Sequence, residues 1–144
     1  MFIGEYTHTL DPKKRLSIPM KFRKELGKKM VMTHGLNKCL AIYPMAEWKE
    51  TAEKLAKLSM GRTDTRGFSR FMLAGAVEVE VDQAGRILVP DFLKSYAGLL
   101  EKTVLTGVYD RVEVWDEATW KVYKTQIQND ADGLAEKLGE IGVF

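Results

Sequence analysis

One nine-residue pattern occurs twice in this chain of 144 residues and constrains its fold more than any other feature. The first occurrence, DPKKRLSIP, starts at Asp11 and ends at Pro19, and the second, DQAGRILVP, starts at Asp82 and ends at Pro90. In both occurrences the arginine stands four residues after the aspartate, and the final proline stands eight residues after the aspartate. A pattern that recurs at a fixed offset, here 71 positions, indicates one supersecondary unit present in two copies.

The residues around each motif predict the same elements in both copies. Strict alternation of apolar and polar residues over 77–81 predicts a half-buried strand, and 6–10 is its weaker counterpart. A turn opened by aspartate and a second short strand follow. Pro19 and Pro90 then suit the first turn of a helix.

The later parts of the two copies also correspond. Each is expected to hold two strands with a matched glycine between them (Gly35 and Gly107), followed by a longer helix. The strands are expected near 30–43 and 103–115, and the helices near 45–59 and 117–129. The chain therefore divides into a first repeat, a connector, a second repeat and a C-terminal segment, at 1–58, 59–74, 75–130 and 131–144.

Charge is distributed unevenly between the copies. Residues 1–70 carry 15 Lys and Arg against 7 Asp and Glu, whereas residues 71–144 carry 7 against 13. Residues 11–29 alone hold eight basic and two acidic side chains. A concentrated positive charge predicts contact with a polyanion, although ordinary solvated surface charge is an equal alternative if charge is considered alone.

Several other classes of protein are disfavoured by the sequence. The first residues lack the features of a signal peptide, and no apolar run approaches the roughly 20 residues that span a bilayer, so an intracellular protein without a membrane partner is expected. Cys39, the one cysteine, stands in an apolar stretch and is expected to be a buried small hydrophobe. His8 and His34 supply no metal-ligand spacing. No catalytic motif occurs, so we expect no enzyme, no cofactor and no small-molecule substrate.

The duplicated motif resembles the signature of the MraZ family, which has the AbrB/SpoVT-type swapped-hairpin fold. The resemblance extends over essentially the whole chain. Besides both motifs it includes Phe22-Arg23, the connector residues Arg66 and Arg70, the Tyr96-Ala97-Gly98 stretch and the segment DRVEVW at 110–115.

That resemblance implies an α+β fold, in which tandem strand-turn-strand-helix units form a pseudo-twofold swapped-hairpin β-barrel with flanking helices. It implies a homo-oligomer, a ring, that binds double-stranded promoter DNA in the cytoplasm at the nucleoid. The expected targets are short repeated boxes ahead of the division and cell-wall gene cluster, including the protein's own gene, with repression as the usual outcome. One departure is Lys14 at the position of Gly85, which predicts a stiffer and more basic first turn.

The basic side chains near the first motif are the candidate DNA ligands. A guanidinium binds guanine O6 and N7 together, so Arg15 is assigned to a base or bidentate phosphate contact. A lysine ammonium group supplies charge without a planar fork, and this suits a contact with a phosphate. The further candidates are Lys13, Lys14, Lys21, Arg23 and, in the second copy, Arg86. Asp11, Pro19, Asp82 and Pro90 are expected to be structural. The alternative for Arg15 and Arg86 is an ion pair with Asp11 or Asp82 that only holds the turn.

Two further questions stay open at the level of sequence. Arg62, Arg66 and Arg70 would share one side of a helical connector, where phosphate binding, a subunit interface or salt bridges all suit them. A protein-interaction or antitoxin-like module is the alternative function, and a non-specific nucleoid protein is a third. The discriminating property is selectivity for promoter sequence over other DNA.

Overall fold

The computed structural model describes residues 1–144 and gives both copies the same order of elements. The first copy contains β1 (Phe2–Thr9), β2 (Arg15–Ser17), α1 (Met20–Leu26), β3 (Lys29–His34), β4 (Leu40–Pro44) and α2 (Met45–Ala56). A connecting helix, α3 (Thr63–Ser69), continues into a π-helical turn (Arg70–Ala74). The second copy contains β5 (Val77–Glu80), β6 (Arg86–Leu88), α4 (Asp91–Ala97), β7 (Lys102–Tyr109), β8 (Val112–Asp116) and α5 (Glu117–Asn129). The last helix is α6 (Ala131–Glu140).

The strands of the two copies are interleaved. One antiparallel sheet has the order β1-β7-β8-β4-β3-β5, and β2 pairs with β6 in a separate two-stranded ribbon. If each strand is replaced by its equivalent in the other copy, the strand order of the six-stranded sheet is reversed and the β2–β6 pair is unchanged. A pseudo-twofold axis between the copies requires this relationship. The first strand of each copy pairs with the third strand of the other copy. The duplicated α+β organisation is thus confirmed, and the six-stranded sheet is not closed, since β1 and β5 remain its edges.

The hydrophobic core lies where the two copies meet. Leu16 and Ile87, which hold the same position in the two motifs, pair directly across the β2–β6 ribbon and are 0% and 1% exposed. Both side chains belong to one core cluster of 19 buried residues drawn from both copies. Burying a side chain of this size contributes about 2 kcal/mol. The two motifs therefore contribute to the core through the ribbon that lies between their turns.

The strand pairing corrects one detail of the sequence alignment. Thr9 and Glu80 each precede the motif aspartate by two residues, and they pair with Lys102 and Lys29 respectively. These two lysines are therefore equivalent, and Gly107 matches His34 rather than Gly35. A side chain does not fit at Gly107, because a Cβ there would lie 2.4 Å from the Ile3 nitrogen.

The two longer helices form close to the expected positions, at Met45–Ala56 and Glu117–Asn129. Leu55 is the buried member of the apolar stripe on α2, and Trp48 packs against Tyr43 at 5.5 Å between ring centroids. Asp130 separates α5 from α6, and no residue of α6 is buried. None of the helices is both long enough and apolar enough to cross a membrane.

Candidate nucleic-acid interface

Each motif folds into a turn organised by its aspartate. Asp11 Oδ1 accepts hydrogen bonds from the backbone N–H groups of Lys13 and Arg15, both at 2.9 Å. Asp82 Oδ1 accepts the same two bonds in the second copy, from Ala84 and Arg86, also at 2.9 Å. The backbone N–H of each arginine, followed by the arginine side chain and then by the other backbone donor, holds the pKa of both carboxyl groups below its usual value. Each aspartate thus binds the backbone of its own turn at two positions.

Each motif arginine binds the carboxylate of its own turn through one edge of its guanidinium group. Arg15 Nε donates to Asp11 Oδ2 at 2.7 Å, and Arg86 Nε donates to Asp82 Oδ2 at 3.0 Å. Their side chains remain 34% and 32% exposed, and their Nη atoms make no hydrogen bond within the chain. The ion pair and a DNA contact are therefore compatible, because the aspartate orients the guanidinium and leaves its other edge free.

The fourth residue of each turn has a left-handed backbone. Lys14 has φ 62° and Gly85 has φ 78°. Glycine adopts this conformation without strain, whereas a lysine there costs about 1 kcal/mol. The Lys14 ammonium forms an ion pair with Asp91, the first residue of α4 in the other copy. This partner was not predicted from the sequence, although its place directly after Pro90 marks it as a helix-start acid.

Arg23 reaches from the first copy to the turn of the second. Its Nε donates to the Ile18 carbonyl at 2.7 Å, and its guanidinium carbon would lie 2.2 Å from a Cβ placed at Gly85. Arg23 thus packs on the Gly85 turn while staying partly exposed. Its charge also acts on His8, whose pKa is lowered mainly by burial and secondarily by Arg23.

The β2–β6 ribbon places the two turns at opposite ends of one short unit. The Val89 N–H donates to the Lys14 carbonyl at 2.8 Å, and the Ile18 N–H donates to the Gly85 carbonyl at 2.9 Å. Three antiparallel residue pairs lie between these ends, so four residue steps, or about 13 Å, separate them. Helices α1 and α4 begin directly after Pro19 and Pro90, so each helix start lies beside the turn of the other copy.

The remaining basic candidates are mostly free of partners. Lys13 and Lys21 are exposed and form no ion pair or side-chain hydrogen bond. The positions equivalent to Lys13, Lys14 and Lys21 in the second copy are Ala84, Gly85 and Phe92. Lys13 and Lys14 lie in the first turn at one end of the ribbon, whereas Lys21 and Arg23 of α1 lie beside the second turn at the other end. An open cleft of about 540 Å³ beside the first turn is lined by Lys14 and Lys94, among others, and Lys94 is a nearby cation that sequence reasoning missed.

The other sequence candidates lie away from the ribbon. Arg62 makes a bidentate contact with Asp64 at 3.0 and 2.7 Å, and Arg66 donates to the Met60 carbonyl at 2.8 Å. Arg70 is exposed and unpaired. Cys39 is fully buried, and burial is the main cause that raises its pKa to about 12, which confirms it as a small buried hydrophobe.

Comparison with known proteins identifies the same duplication. The model of a family described as the MraZ protein matches the chain twice, over residues 1–71 and 72–138, and its description also carries the term antitoxin-like. The transcriptional regulator MraZ of Moorella thermoacetica is 46% identical over 143 residues, which cover 99% of this chain and 100% of the relative. The namesake regulator of Natranaerobius thermophilus is 43% identical over 143 residues with the same coverage. That of Leuconostoc mesenteroides is 46% identical over 138 residues, or 96% of each chain.

The duplicated turn, the interleaved sheet and these relatives define the class of this protein, a transcription regulator. Transcription regulation is a non-enzymatic kind of function, and DNA is the partner that it implies. Within that class the chain belongs to the MraZ family, since the family model covers both copies. The resemblance noted from the motif residues is thereby confirmed.

Proposed function

We propose that this protein binds double-stranded promoter DNA in a sequence-specific manner through the turns of the β2–β6 ribbon, with the Arg15 turn as the main contact. The observation that carries the proposal is the Asp11–Arg15 pair, which fixes the guanidinium at Nε and leaves both Nη groups without a partner. Two parallel donors on a planar cation match guanine O6 and N7 or a phosphate. A pre-oriented arginine loses less conformational entropy on binding.

The neighbouring cations supply the part of the affinity that does not depend on sequence. Lys13 and Lys21 are exposed and unpaired, so their ammonium groups are available for phosphates. Lys14 must first separate from Asp91, and Arg23 serves partly as a structural residue of the Gly85 turn. Arg86 offers the same geometry as Arg15, but Ala84 and Gly85 stand in its own turn where the first turn has lysines. We therefore assign it to a weaker contact at the other end of the ribbon.

The proposed biological setting follows from the family. The protein represses the promoter of the division and cell-wall gene cluster, including its own gene, by binding short repeated boxes. It acts in the cytoplasm at the nucleoid as a ring-shaped homo-oligomer. Repeated boxes suit an oligomer, because each further ribbon then binds at a high effective concentration.

A direct test compares the wild-type protein with Arg15→Ala, Arg15→Lys and Arg86→Ala. Fluorescence anisotropy measures binding to a labelled fragment of the gene's own promoter and to a scrambled fragment of equal length. Loss of one bidentate base contact costs about 1–3 kcal/mol, so Arg15→Ala should lose roughly tenfold or more in promoter affinity. Arg15→Lys should keep binding to both fragments but lose selectivity, since lysine retains charge without the planar fork.

The outcome for Arg15→Ala decides the proposal. Unchanged promoter selectivity in that variant would refute the assignment. Equal affinity of the wild-type protein for both fragments would instead indicate a non-specific nucleoid protein. The antitoxin-like term in the family description favours a second candidate, a protein-interaction module. Absence of DNA binding, together with a stoichiometric protein partner that co-purifies, would support that candidate.

A further inference from the structure

Helix α1 of the first copy lies against the turn of the second motif. The Ile18 N–H, two residues before the helix, donates to the Gly85 carbonyl at 2.9 Å. The Lys28 carbonyl, two residues after the helix, accepts from the Val81 N–H, also at 2.9 Å. Between these bonds the Arg23 guanidinium packs on Gly85. The cations of this segment therefore stand beside the turn of the other copy.

Three lysines of this segment have exposed side chains that form no ion pair and no hydrogen bond within the chain. Lys21 and Lys24 belong to α1, and Lys28 follows its end. Residues three apart share one face of a helix, so Lys21 and Lys24 lie together on the outer face. Phe22 and Leu26 are buried on the opposite face. The segment thus turns a row of ammonium groups toward the surroundings.

The acids on α1 and at the start of the second turn are already paired with other cations. Glu25, the one acid of α1, forms an ion pair with the Met1 amino group. Glu80 on β5 binds Lys29 at 3.7 Å, and Asp82 binds the arginine of its own turn at 3.0 Å. None of these carboxylates binds one of the three lysines, whose charge is therefore available to a partner.

The equivalent segment of the second copy, which lies beside the first turn, lacks this charge. The Glu101 carbonyl accepts from the Leu10 N–H at 2.7 Å, so Glu101 is the equivalent of Lys28. The three equivalent positions carry no cation: Phe92, Ser95 and Glu101. The first turn instead holds Lys13 and Lys14 within the turn itself. Both ends of the ribbon are thus basic, and the first copy supplies the lysines at each of them.

We propose that Lys21, Lys24 and Lys28 form a separate site for DNA phosphates at the Arg86 end of the ribbon. The proposal rests on the DNA binding given above and names the part of the duplex that this end contacts. The two turns lie about 13 Å apart, which is the length of about four base pairs. With the ribbon along the duplex, the three lysines bind backbone outside the bases that the Arg15 turn reads. Such contacts add affinity and position the protein, but they carry no sequence information.

The composition of this surface favours a nucleic acid over an acidic protein as the partner. Met20 is the one exposed apolar side chain of α1, so the surface has no apolar centre. Interfaces between proteins are built around such a centre and are depleted in lysine. Lysines without an apolar centre are instead typical of contacts with the phosphate backbone.

The double variant Lys24→Ala/Lys28→Ala tests the site, and Lys49→Ala/Lys57→Ala is the matched control at two exposed lysines on α2 and directly after it. Anisotropy titrations at several salt concentrations use the promoter fragment and the scrambled fragment. The test variant should lose about two units of the slope of log affinity against log salt concentration on both fragments. The ratio of the two affinities should keep its wild-type value. Lys24→Arg/Lys28→Arg should retain the slope, and circular dichroism checks the fold of each variant.

Shortened duplexes locate the contact on the DNA. Duplexes that carry one promoter box are cut back from either end in steps of one base pair. Removal of the backbone that faces α1 should cost the wild-type protein the same two units of slope, and this step should occur from one end only. The test variant should show no such step, because it has already lost the contact.

The possible outcomes separate this inference from the proposed function. A wild-type slope in the test variant, with promoter selectivity intact, would overturn the lysine site and leave the proposed function standing. The same slope, with an acidic protein that co-purifies with the wild type but not with the test variant, would overturn it in favour of a protein partner. Loss of promoter selectivity in the test variant would contradict a contact with backbone alone. Absence of DNA binding by the wild-type protein would overturn the site and the proposed function together.

Discussion

The guanidinium of Arg23, in the first copy, lies on Gly85, in the turn of the second copy, so closely that a Cβ at Gly85 would be 2.2 Å from its central carbon. Outside the sheet, this contact packs a side chain of the first copy on the backbone of the second. It also explains why glycine occupies the turn, since φ is 78° there and the space above it is filled.

Gly85→Ala should therefore destabilise the protein for two reasons. The left-handed backbone costs about 1 kcal/mol with a side chain, and displacement of Arg23 from the Ile18 carbonyl costs about 1 kcal/mol more. Urea unfolding measures the sum. Gly98→Ala is the matched control, because Gly98 has φ 59° and open space around it. Equal losses in the two variants would show that Arg23 contributes nothing at this turn.

Lys14→Gly should have the opposite effect on the fold. Glycine removes left-handed strain of about 1 kcal/mol, while the exposed ion pair with Asp91 contributes less than that. Stability should rise by a few tenths of a kcal/mol in urea unfolding, because the greater flexibility of unfolded glycine offsets part of the gain. Promoter affinity should fall at the same time. A variant that is both less stable and unchanged in DNA affinity would contradict this account of Lys14.

Lys13→Ala and Lys21→Ala should reduce the salt dependence of DNA binding. Each phosphate contact contributes about 0.9 to the slope of log affinity against log salt concentration, so each variant should lose about one unit of slope on all DNA sequences. Lys57→Ala, at the exposed residue that follows α2, is the control and should keep the wild-type slope. A slope that stays constant in both test variants would place the phosphates elsewhere.

The motif aspartates predict a loss of stability in acid. The pKa of Asp11 and of Asp82 is lowered in the folded state, chiefly by backbone hydrogen bonds from Arg15 and Arg86. Their stabilising effect is therefore present above the unfolded value of 3.8 and is lost as pH falls through the lower folded value. Thermal melts between about pH 5 and pH 2 should show a smaller acid-dependent drop in Asp11→Asn than in the wild type. An identical drop in both proteins would contradict the assignment.

The local chemistry of the site was predictable from the sequence, because the partners of each turn lie within five residues of one another. Asp11 and Arg15 predict their own pairing, and the duplication predicts the same pair at Asp82 and Arg86. The sequence left open whether such an arginine is structural or binds DNA. The geometry allows both, because only one edge of the guanidinium is used.

Contacts between distant residues were not predictable. The Lys14–Asp91 pair and the Arg23–Gly85 contact depend on how β2 and β6 align, and a repeat alone does not determine which copy supplies the partner. The alignment of Gly35 with Gly107 is one position out of register. Sequence identity favoured them, whereas sheet hydrogen bonding and the close approach of β1 determine the true equivalence.

The interleaved strand order also has a consequence for biosynthesis. β1 pairs with β7 along its whole length, and the hydrogen bond from Thr103 to the His8 carbonyl spans 95 residues. A ribosome therefore releases β1 long before its neighbour in the sheet exists, and the first repeat emerges without the strands that complete it. Contacts of such long range slow folding and leave strand edges open to aggregation. We expect the nascent chain not to form the sheet until β7 has emerged, so neither repeat is a folding unit by itself.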